Sequence, residues 1–377
     1  MSSLSATLSR GAVGTLAEPA VLRDEWNDFV ASFPAGDIVQ SAAWADAKSV
    51  LGYRSVLAVH REGTQIAGGA AVLVRQVAPL LAVGYVPRGP LVAPGVDAAR
   101  VVDVIERAAR RAGVSVLVVQ PPVGGEATAN VLARRGYVAG APEVAPSVTM
   151  SVDIAPEPET IMARMAPGRR RSVRQAVARG VSVRFGGRAD LEAFHALAAE
   201  TARRQQFSPV SLAELKAQWD ALHGCDAIRL VLAEHEERML AGIVVTTFGR
   251  TVTFRHTGWN GERPDLQANV ACHWFAMQWA RQAGYTDYDL GGVERSIAMR
   301  IEQGESLLAD FQRSPAGYKA AFGGRLVWAP LSYLKVIHPL LGPLARPFLP
   351  ALLERGYLRR AATMLRRGGT TPTDQPA

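Results

Sequence analysis

Residues 285–324 read YTDYDLGGVERSIAMRIEQGESLLADFQRSPAGYKAAFGG, and the rest of the chain is organised around them. The run YTDYDL predicts a strand that ends on Gly291-Gly292, where the lack of a Cβ lets another backbone or a ligand approach closely. Lys319 then stands between Tyr318 and Phe322, where a lysine can act as a fixed positive charge. We predict that Lys319 is catalytic; the alternative is an ordinary lysine on a helix surface.

The order of predicted elements occurs twice along the chain. Each half runs helices, three antiparallel-type strands, a helix and a further strand, which is SVLVVQPP in the first half and YTDYDLG in the second. Strands and helices mixed in this order predict α/β layers. The pattern is that of the acetyltransferase-like (GNAT) fold, so we predict an α/β (α+β) protein with two GNAT-like domains.

The breaks between these predicted elements predict the domain boundaries. Residues 19–150 form the first GNAT-like domain, and residues 325–335 return to it with RLVWAP as an added strand, which makes this domain discontinuous. Residues 151–324 form the second domain. Residues 336–368 are predicted to be a basic amphipathic helical extension, and residues 369–377 a disordered tail.

Size, charge and cysteine content narrow the class of protein. A chain of 377 residues suits two domains, and its net charge of +8 favours polyanionic partners or reflects a basic proteome. Two cysteines without CxxC or zinc spacing favour a reducing compartment and predict no metal site. No stretch suits a signal peptide or a membrane span, so we predict a cytoplasmic protein.

The C-terminal residues 331–368 form a basic, proline-broken segment with seven Lys or Arg and one Glu. One interpretation is an interfacial segment that contacts anionic lipid at the inner face of the membrane. The alternative is a helix pair that packs on the domain with its arginines in solvent. The sequence leaves both open.

Residues 164–188 contain eight arginines and no acid, and Arg169, Arg170, Arg171 and Arg174 crowd about one turn of a predicted helix. Arginine binds two phosphate oxygens with its fork, so an RNA backbone or a diphosphate is the functional interpretation. The alternative is a solvated basic face. His256 and His273 are predicted to be structural.

Other catalytic patterns are missing from the sequence. We find no GxSxG, HExxH, Walker lysine loop or GxGxxG after a strand. Where a GNAT enzyme would hold the pyrophosphate of coenzyme A, the halves read YVPRGPLVAPGVDAA and HTGWNGERPDLQANVA. Prolines remove backbone donors from both segments, which disfavours an acyl-CoA-dependent N-acyltransferase.

Five segments together resemble the Fem (FemA/FemB/FemX) family of aminoacyl-tRNA-dependent peptidoglycan aminoacyltransferases. They cover about residues 38–328 and read QSAAWADAK, YVPRGPLV, RRRSVRQAVARGVSV, GWNGERPDLQANVACHWFAMQWARQAGYTDYDLGGV and GYKAAFGG. The family fold is two GNAT-like domains. The resemblance implies transfer of an amino acid from tRNA to an amine of a UDP- or lipid-linked muropeptide, with aminoacyl-tRNA as co-substrate and no other cofactor.

The resemblance also implies roles for individual residues. Lys319 matches the lysine linked to aminoacyl transfer, Tyr318 its aromatic neighbour and Asp289 the acid before the double glycine, although Asp289 could instead hold the fold. The predicted acceptor-binding residues are Lys48, Trp44, Arg88, Trp259 and Asn269, and the predicted tRNA- or phosphate-binding residues are Arg169, Arg170, Arg171 and Arg174. For Trp44 and Lys48, at i and i+4, an apolar Trp beside a snorkelling Lys is the alternative.

Departures from the family pattern leave the acceptor open. Ser208 and Leu212 stand where some relatives place an Arg and a Tyr on the acceptor phosphates, and Gln120 replaces an acid. A tRNA-dependent amide-forming enzyme of a natural-product pathway is therefore an alternative. A non-enzymatic RNA-binding protein is another, but it does not explain Lys319 beside a double-glycine strand.

Overall fold

The computed structural model describes residues 20–79, 81–143, 145–304 and 314–339, with isolated positions 311, 342 and 348. Most of the predicted C-terminal extension and the whole predicted tail lie outside the described residues. The α-helices are α1 (Ala20–Ser32), α2 (Ala42–Lys48), α3 (Ala98–Arg111), α4 (Glu126–Arg134), α5 (Pro158–Arg164), α6 (Pro167–Ala178), α7 (Leu191–Gln205), α8 (Leu212–Leu222), α9 (Ala268–Gln282), α10 (Arg295–Glu302) and α11 (Pro315–Ala320).

The β-strands follow the predicted order in both halves. They are β1 (Tyr53–Glu62), β2 (Gln65–Ala78), β3 (Leu81–Val86), β4 (Leu91–Val92), β5 (Val114–Val119), β6 (Val138–Ala139), β7 (Val148–Asp153), β8 (Ser182–Gly186), β9 (Ile228–His235), β10 (Arg238–Phe248), β11 (Thr251–Trp259), β12 (Asp287–Gly292), β13 (Arg325–Trp328) and β14 (Tyr333–Val336). Among the described helices, none has the length and apolar character that crossing a bilayer requires.

Two seven-stranded sheets form the centres of the two domains. The first has the order β1-β2-β3-β5-β14-β6, with β4 paired to β2, and the second has the order β13-β7-β12-β11-β10-β9-β8. Helix α3 packs its apolar stripe, which includes Val101 and Ile105, on the first sheet, and α9 packs on the second sheet around Cys272 and Met277. The predicted mixed α/β architecture with two GNAT-like units is confirmed.

The return of the chain to the first domain differs from the prediction in its strand. Residues Arg325–Trp328, predicted to join the first sheet, instead pair with β7 as the edge strand β13 of the second sheet. Strand β14 makes the return, because Tyr333–Val336 pairs with β5 and β6. The predicted boundary at residue 150 also falls inside β7, whose residues all belong to the second sheet. After α11 the chain first pairs with β7 as β13, and it crosses to the first domain only afterwards, as β14.

A buried ion cluster holds β14 against the first domain. The Nζ atom of Lys335 on β14 donates to Glu106 of α3 at 2.7 Å, and Arg110 donates to the other carboxylate oxygen at 3.2 Å. Arg110 also donates to the carbonyl oxygen of Ile337. Because Glu106 is only 8% exposed, this carboxylate depends on both partners for the hydrogen bonds that water would otherwise supply.

We expect Lys335→Met to lower the free energy of unfolding by about 2 kcal/mol, because it removes a partner of a buried carboxylate. Urea denaturation followed by circular dichroism measures this change. Lys216→Met is the matched control, since Lys216 of α8 pairs at the surface with the exposed Glu192 of α7. Equal urea midpoints for Lys335→Met and the wild-type protein would show that the cluster does not hold β14.

The segment around α2 packs on the second domain and forms a shared core. Ile38, Val39 and Trp44 join a cluster of apolar residues from α7, α8, β9 and β10. Helix α2 begins after Ser41, whose Oγ accepts from the Trp44 N–H at 3.1 Å. The two domains therefore meet through an apolar interface that includes α2.

Candidate functional site

The second sheet opens a wedge between its two parallel strands. Strands β11 and β12 are paired from Thr251–Asp287 to Thr253–Asp289, and β11 then runs on to Trp259 without pairing to β12. In the first sheet, β3 and β5 stay paired to their ends, and the Gln120 N–H continues the ladder by donating to the Val86 carbonyl. The wedge of the second sheet is therefore the place where a substrate can reach the sheet interior.

Lys319 fills the inner end of this wedge. Helix α11 begins after Ser314, whose Oγ accepts from the Gly317 N–H at 3.1 Å, and it carries Lys319 over the end of β12. The Nζ atom of Lys319 donates to the carbonyl oxygen of Gly292. An ammonium group has three donors, and among the described residues this bond uses one of them.

The double glycine makes room for this arrangement. Gly291 has φ +80°, a left-handed conformation that side chains rarely adopt, and a Cβ there would lie 3.8 Å from the Lys319 Nζ. A Cβ on Gly292 would lie 2.9 Å from the ring of Pro146 in the linker between the domains. The positive φ of Gly291 and the short distance at Gly292 agree with the sequence prediction that glycine is needed here, whereas the 3.8 Å distance is an ordinary contact.

Burial shifts the pKa values of both Asp289 and Lys319 at this place. Burial raises the pKa of Asp289 above its ordinary value, against hydrogen bonds from the Gly291 N–H and Thr149 and the charges of Arg255 and Arg88. Burial lowers the pKa of Lys319, and the Asp289 charge opposes that shift. A recessed lysine and carboxyl with shifted pKa values mark this wedge as the candidate active site.

A loop of the first domain reaches the wedge through the interdomain linker. Arg88 of the YVPRGP segment donates to the Pro146 carbonyl at 2.6 Å, and Pro146 packs on Gly292. The buried Gln40 holds this loop, because its Nε2 donates to the Pro87 carbonyl at 2.6 Å. Gln40 and Arg88 belong to two motifs that are far apart in sequence; the structure brings both into one loop, and Arg88 connects it to Gly292 through Pro146.

Lys48 lies at the boundary between the two domains and is already paired. Its Nζ contacts Glu214 Oε1 of α8 at 2.6 Å and lies 5.0 Å from the centroid of the Trp44 ring. Gln218 donates to Glu214 at 3.2 Å and contacts the Nε2 of His256 at 3.2 Å. A polar network therefore runs from α2 to β11 across the domain boundary.

His256 is neutral in this network. Burial lowers its pKa to about 4, opposed by the charge of Glu214 and reinforced by those of Lys48 and Arg255. His273 is buried under the sheet, where desolvation lowers its pKa to about 3 and its Nδ1 contacts the Tyr288 hydroxyl at 3.0 Å. Both side chains pack and bond as structural residues.

Sequence reasoning missed the role of Arg255, which the fold turns toward the first domain. In the pairing of β10 with β11, Val244 faces His256 and Val245 faces Phe254, so Arg255 is the extra residue of a β-bulge. Its guanidinium stacks over Trp44 at 5.0 Å and contacts Asp37. Two adjacent polar residues in TVTFRHTGW were the available signal, since simple alternation cannot place both on one face.

The arginine-rich helix α6 divides into inward and outward side chains. Arg169, predicted to bind phosphate, instead lies over the rings of Tyr318 and Phe322 at 4.2 and 4.4 Å, and burial lowers its pKa. Arg170 donates to carbonyl oxygens of α5 and the α5–α6 junction. Arg171 and Arg174 are exposed and available to a polyanion.

The remaining predicted residues occupy three different places. The Tyr318 ring is inside the second domain, with its hydroxyl buried, so it supports α11 rather than facing the wedge. Trp259 stands at the outer end of β11 under Arg204, and Asn269, on the first turn of α9, accepts from Thr257 at 3.3 Å. The structure thus gathers Lys319, Asp289 and Arg88, and it joins Trp44 and Lys48 to Arg255 at the domain boundary.

A separate cavity of about 560 Å³ lies at the other end of β7 and β12. Its charged lining residues are Asp153, Arg164, Arg250, Asp287 and Arg325, and Lys319 is not among them. Two of these arginines pair with the two aspartates. Within the described ranges, no group of three or more His, Cys, Asp or Glu is placed to hold a metal ion.

Two sheets of this topology, one of them split by a lysine-bearing wedge, define a tandem GNAT-like protein. Residues 167–303 match the family described as acetyltransferase (GNAT) domain. The crystal structure of FemX superposes with a TM-score of 0.71 at 18% identity, covering 86% of this chain and 98% of that chain. The C-terminal domain of a putative lysylphosphatidylglycerol synthetase from Agrobacterium fabrum superposes with a TM-score of 0.52 at 15% identity, covering 88% and 96%.

Sequence similarity narrows this class further. The lipid II:glycine glycyltransferase of Staphylococcus aureus is 27% identical over 217 residues, which are 54% of this chain and 51% of that protein. The chain thus spans about half the length of the relatives it matches. This similarity, the FemX superposition and the GNAT match agree with the resemblance to the Fem family that the five sequence segments carry.

Proposed function

We propose that this protein is an aminoacyltransferase that moves an amino acid from aminoacyl-tRNA to an amine of a peptidoglycan precursor and forms an amide. The observation that carries the proposal is the Lys319 ammonium, which lies in the β11–β12 wedge and bonds to the Gly292 carbonyl. The similarity to a lipid II:glycine glycyltransferase supports the choice of donor group and acceptor.

In the proposed reaction, the acceptor amine attacks the ester carbonyl of the aminoacyl-tRNA. The new C–N bond forms as the C–O bond to the ribose breaks, the amine loses a proton and the ribose oxygen gains one. The ester is already activated, so positioning and charge stabilisation are the main tasks of the protein. The Lys319 ammonium would stabilise the developing oxyanion or a phosphate at the tRNA end.

The direct test is to incubate the protein with charged tRNAs and muropeptide precursors and to identify products by mass. A precursor heavier by one amino-acid residue, lost after ribonuclease treatment, is the expected result. An arm with acetyl-CoA replacing tRNA tests the acyl-CoA alternative. Product formed only with acetyl-CoA, or no product with any charged tRNA, would contradict the proposal.

A second acceptor class is favoured by the state of Lys48. The resemblance assigns Lys48 to the acceptor, but here Glu214 pairs with it, and Ser208 and Leu212 bring no charge nearby. An acceptor without a diphosphate at this position, such as a small amine of a natural-product pathway, suits that arrangement. Adding such amines to the same assay distinguishes the two classes.

We expect the double variant Arg171→Gln with Arg174→Gln to weaken tRNA binding. The slope of log K against log salt should fall by about 2 in magnitude, because each lost phosphate contact reduces the slope by about 0.9. These exposed side chains share α6 with Arg169, which contacts the Lys319 helix, so RNA on α6 would lie near the wedge. Filter binding across a salt series measures the slope. The control is Arg100→Gln, exposed on α3 of the first domain; an equal loss there would remove α6 as the RNA surface.

The pH dependence should report the lowered pKa of Lys319. If the ammonium form is active, activity is present below this pKa and is lost as pH rises through it. Because burial lowers the pKa, we expect the alkaline decline at a lower pH than an ordinary lysine gives. The measurement is kcat/KM against pH, and the residual activity of Lys319→Arg should decline later. The same alkaline limb in both proteins would exclude Lys319 as its source.

A further inference from the structure

Arg88, Arg255 and Asp37 form a cationic centre where the two domains meet, which we call the junction site. Arg88 Nε lies 4.0 Å from Asp37 Oδ2, and Arg255 Nη2 lies 3.5 Å from Asp37 Oδ1. Close charge-assisted hydrogen bonds measure about 2.7–2.9 Å, so both contacts are loose. Two guanidinium groups thus share one carboxylate, and that carboxylate also accepts from the Val39 N–H.

One donor of the junction site has no partner within the described part of the chain. Arg88 is 93% buried, since its exposed fraction is 7%, and its Nη1 has no hydrogen-bond partner among the described residues. The Nε of Arg255 donates to Thr246 Oγ1 at 2.8 Å, which fixes the guanidinium in place. A buried guanidinium held this way, with a donor unpaired, is costly unless an anion compensates it.

The junction site adjoins the wedge. Arg88 donates to the Pro146 carbonyl, Pro146 packs on Gly292, and the Gly292 carbonyl accepts from Lys319. The charges of Arg255 and Arg88 both act on Asp289 at the root of the wedge. A ligand group bound at the junction site would therefore lie close to the acceptor amine when that amine reacts beside Lys319.

The mixed signs of the charges at the junction site narrow the chemical class of its ligand. A phosphate dianion would meet the carboxylates of Asp37 and Asp289 together with the two arginines. A carboxylate beside an ammonium group instead pairs each charge with an opposite one, and planar carboxylates match the guanidinium fork. The arrangement thus suits an amino-acid-like zwitterion.

We propose that the junction site binds the carboxylate of an acceptor whose nucleophilic amine is on the same carbon. This inference rests on the proposed function and names the acceptor class. It assigns Arg255 and Arg88 to the carboxylate and Asp37 to the approaching ammonium. Specificity for the acceptor would then come from the β11 bulge and the YVPRGP loop together.

The test uses two synthetic stem peptides that differ only at the acceptor side chain, which ends in a plain amine in one and in an amine and carboxylate on one carbon in the other. Calorimetric titration without tRNA should show about 30-fold tighter binding of the carboxylate peptide. Arg255→Gln should reduce this ratio to about 3-fold, and Arg255→Lys, which keeps the charge but loses the fork, to an intermediate value. Arg100→Gln should keep the wild-type ratio.

Several results would overturn the inference: equal binding of both peptides by the wild-type protein, binding of neither, or an unchanged ratio in Arg255→Gln. Weaker tRNA binding by Arg255→Gln with an unchanged peptide ratio would show that the site holds an RNA phosphate instead. Thermal unfolding confirms that each variant is folded. The titration contains no aminoacyl-tRNA, so it reports only the preference for the carboxylate peptide. Failure of aminoacyl transfer is reported separately by the product assay.

Discussion

Lys319→Met is expected to lower the rate of aminoacyl transfer by about 10³-fold, because it removes the one ammonium group in the β11–β12 wedge of the described structure. Methionine has a similar length and leaves the packing of α11 nearly unchanged. The loss should appear in kcat more than in KM, since an oxyanion contact exists only in the transition state. Single-turnover kinetics with a charged tRNA measure it.

Two further variants make the Lys319 result specific. Lys216→Met removes an exposed lysine of α8 and should keep full activity. Lys319→Arg keeps the positive charge but misplaces it, so partial activity is expected. Wild-type turnover by a folded Lys319→Met protein would contradict the catalytic assignment and leave the wedge without its proposed electrostatic role.

The second large effect is expected at Trp44, where Trp44→Ala should lower the free energy of unfolding by about 3 kcal/mol. Trp44 is 8% exposed and packs in the apolar core shared by α2 and the second domain. The Lys48 ammonium and the Arg255 guanidinium also lie over its ring, each 5.0 Å from the centroid. The substitution would therefore leave a cavity at the domain boundary and release two charged side chains.

Urea denaturation distinguishes this structural role from a surface role in acceptor stacking. Phe207→Ala is the control, because Phe207 is 48% exposed and should leave stability within about 0.5 kcal/mol. If Trp44→Ala changes only acceptor affinity and keeps the wild-type unfolding midpoint, the interface interpretation is wrong. Loss of stability together with loss of activity is the expected combination.

Local patterns predicted much of the fold because each reflects a local physical cause. The double glycine after YTDYDL marks a strand end with a left-handed residue, and Gly291 has φ +80°. The QSAAWADAK segment contains the Ser41 cap of α2. Alternation and helical spacing placed the strands in order, and the repeated order indicated two GNAT-like units.

Charge patterns were less informative about the site. Four neighbouring arginines looked alike in sequence, yet Arg169 turns inward onto Tyr318 and only Arg171 and Arg174 face solvent. The helix phase relative to the rest of the domain decides this difference, and it depends on packing. Lys48 likewise reads as a free cation until α8 brings Glu214 against it.

The sequence by itself determined the two GNAT-like units, the double glycine and Lys319 as the candidate for catalysis, because propensity, periodicity and short motifs act within a few residues. Only the tertiary structure decided that β13 joins the second sheet and β14 the first, and that Arg88 and Arg255 meet at Asp37. These residues are brought together by strand pairing, a β-bulge and domain packing. Such contacts join positions far apart in the chain, and no local pattern encodes them.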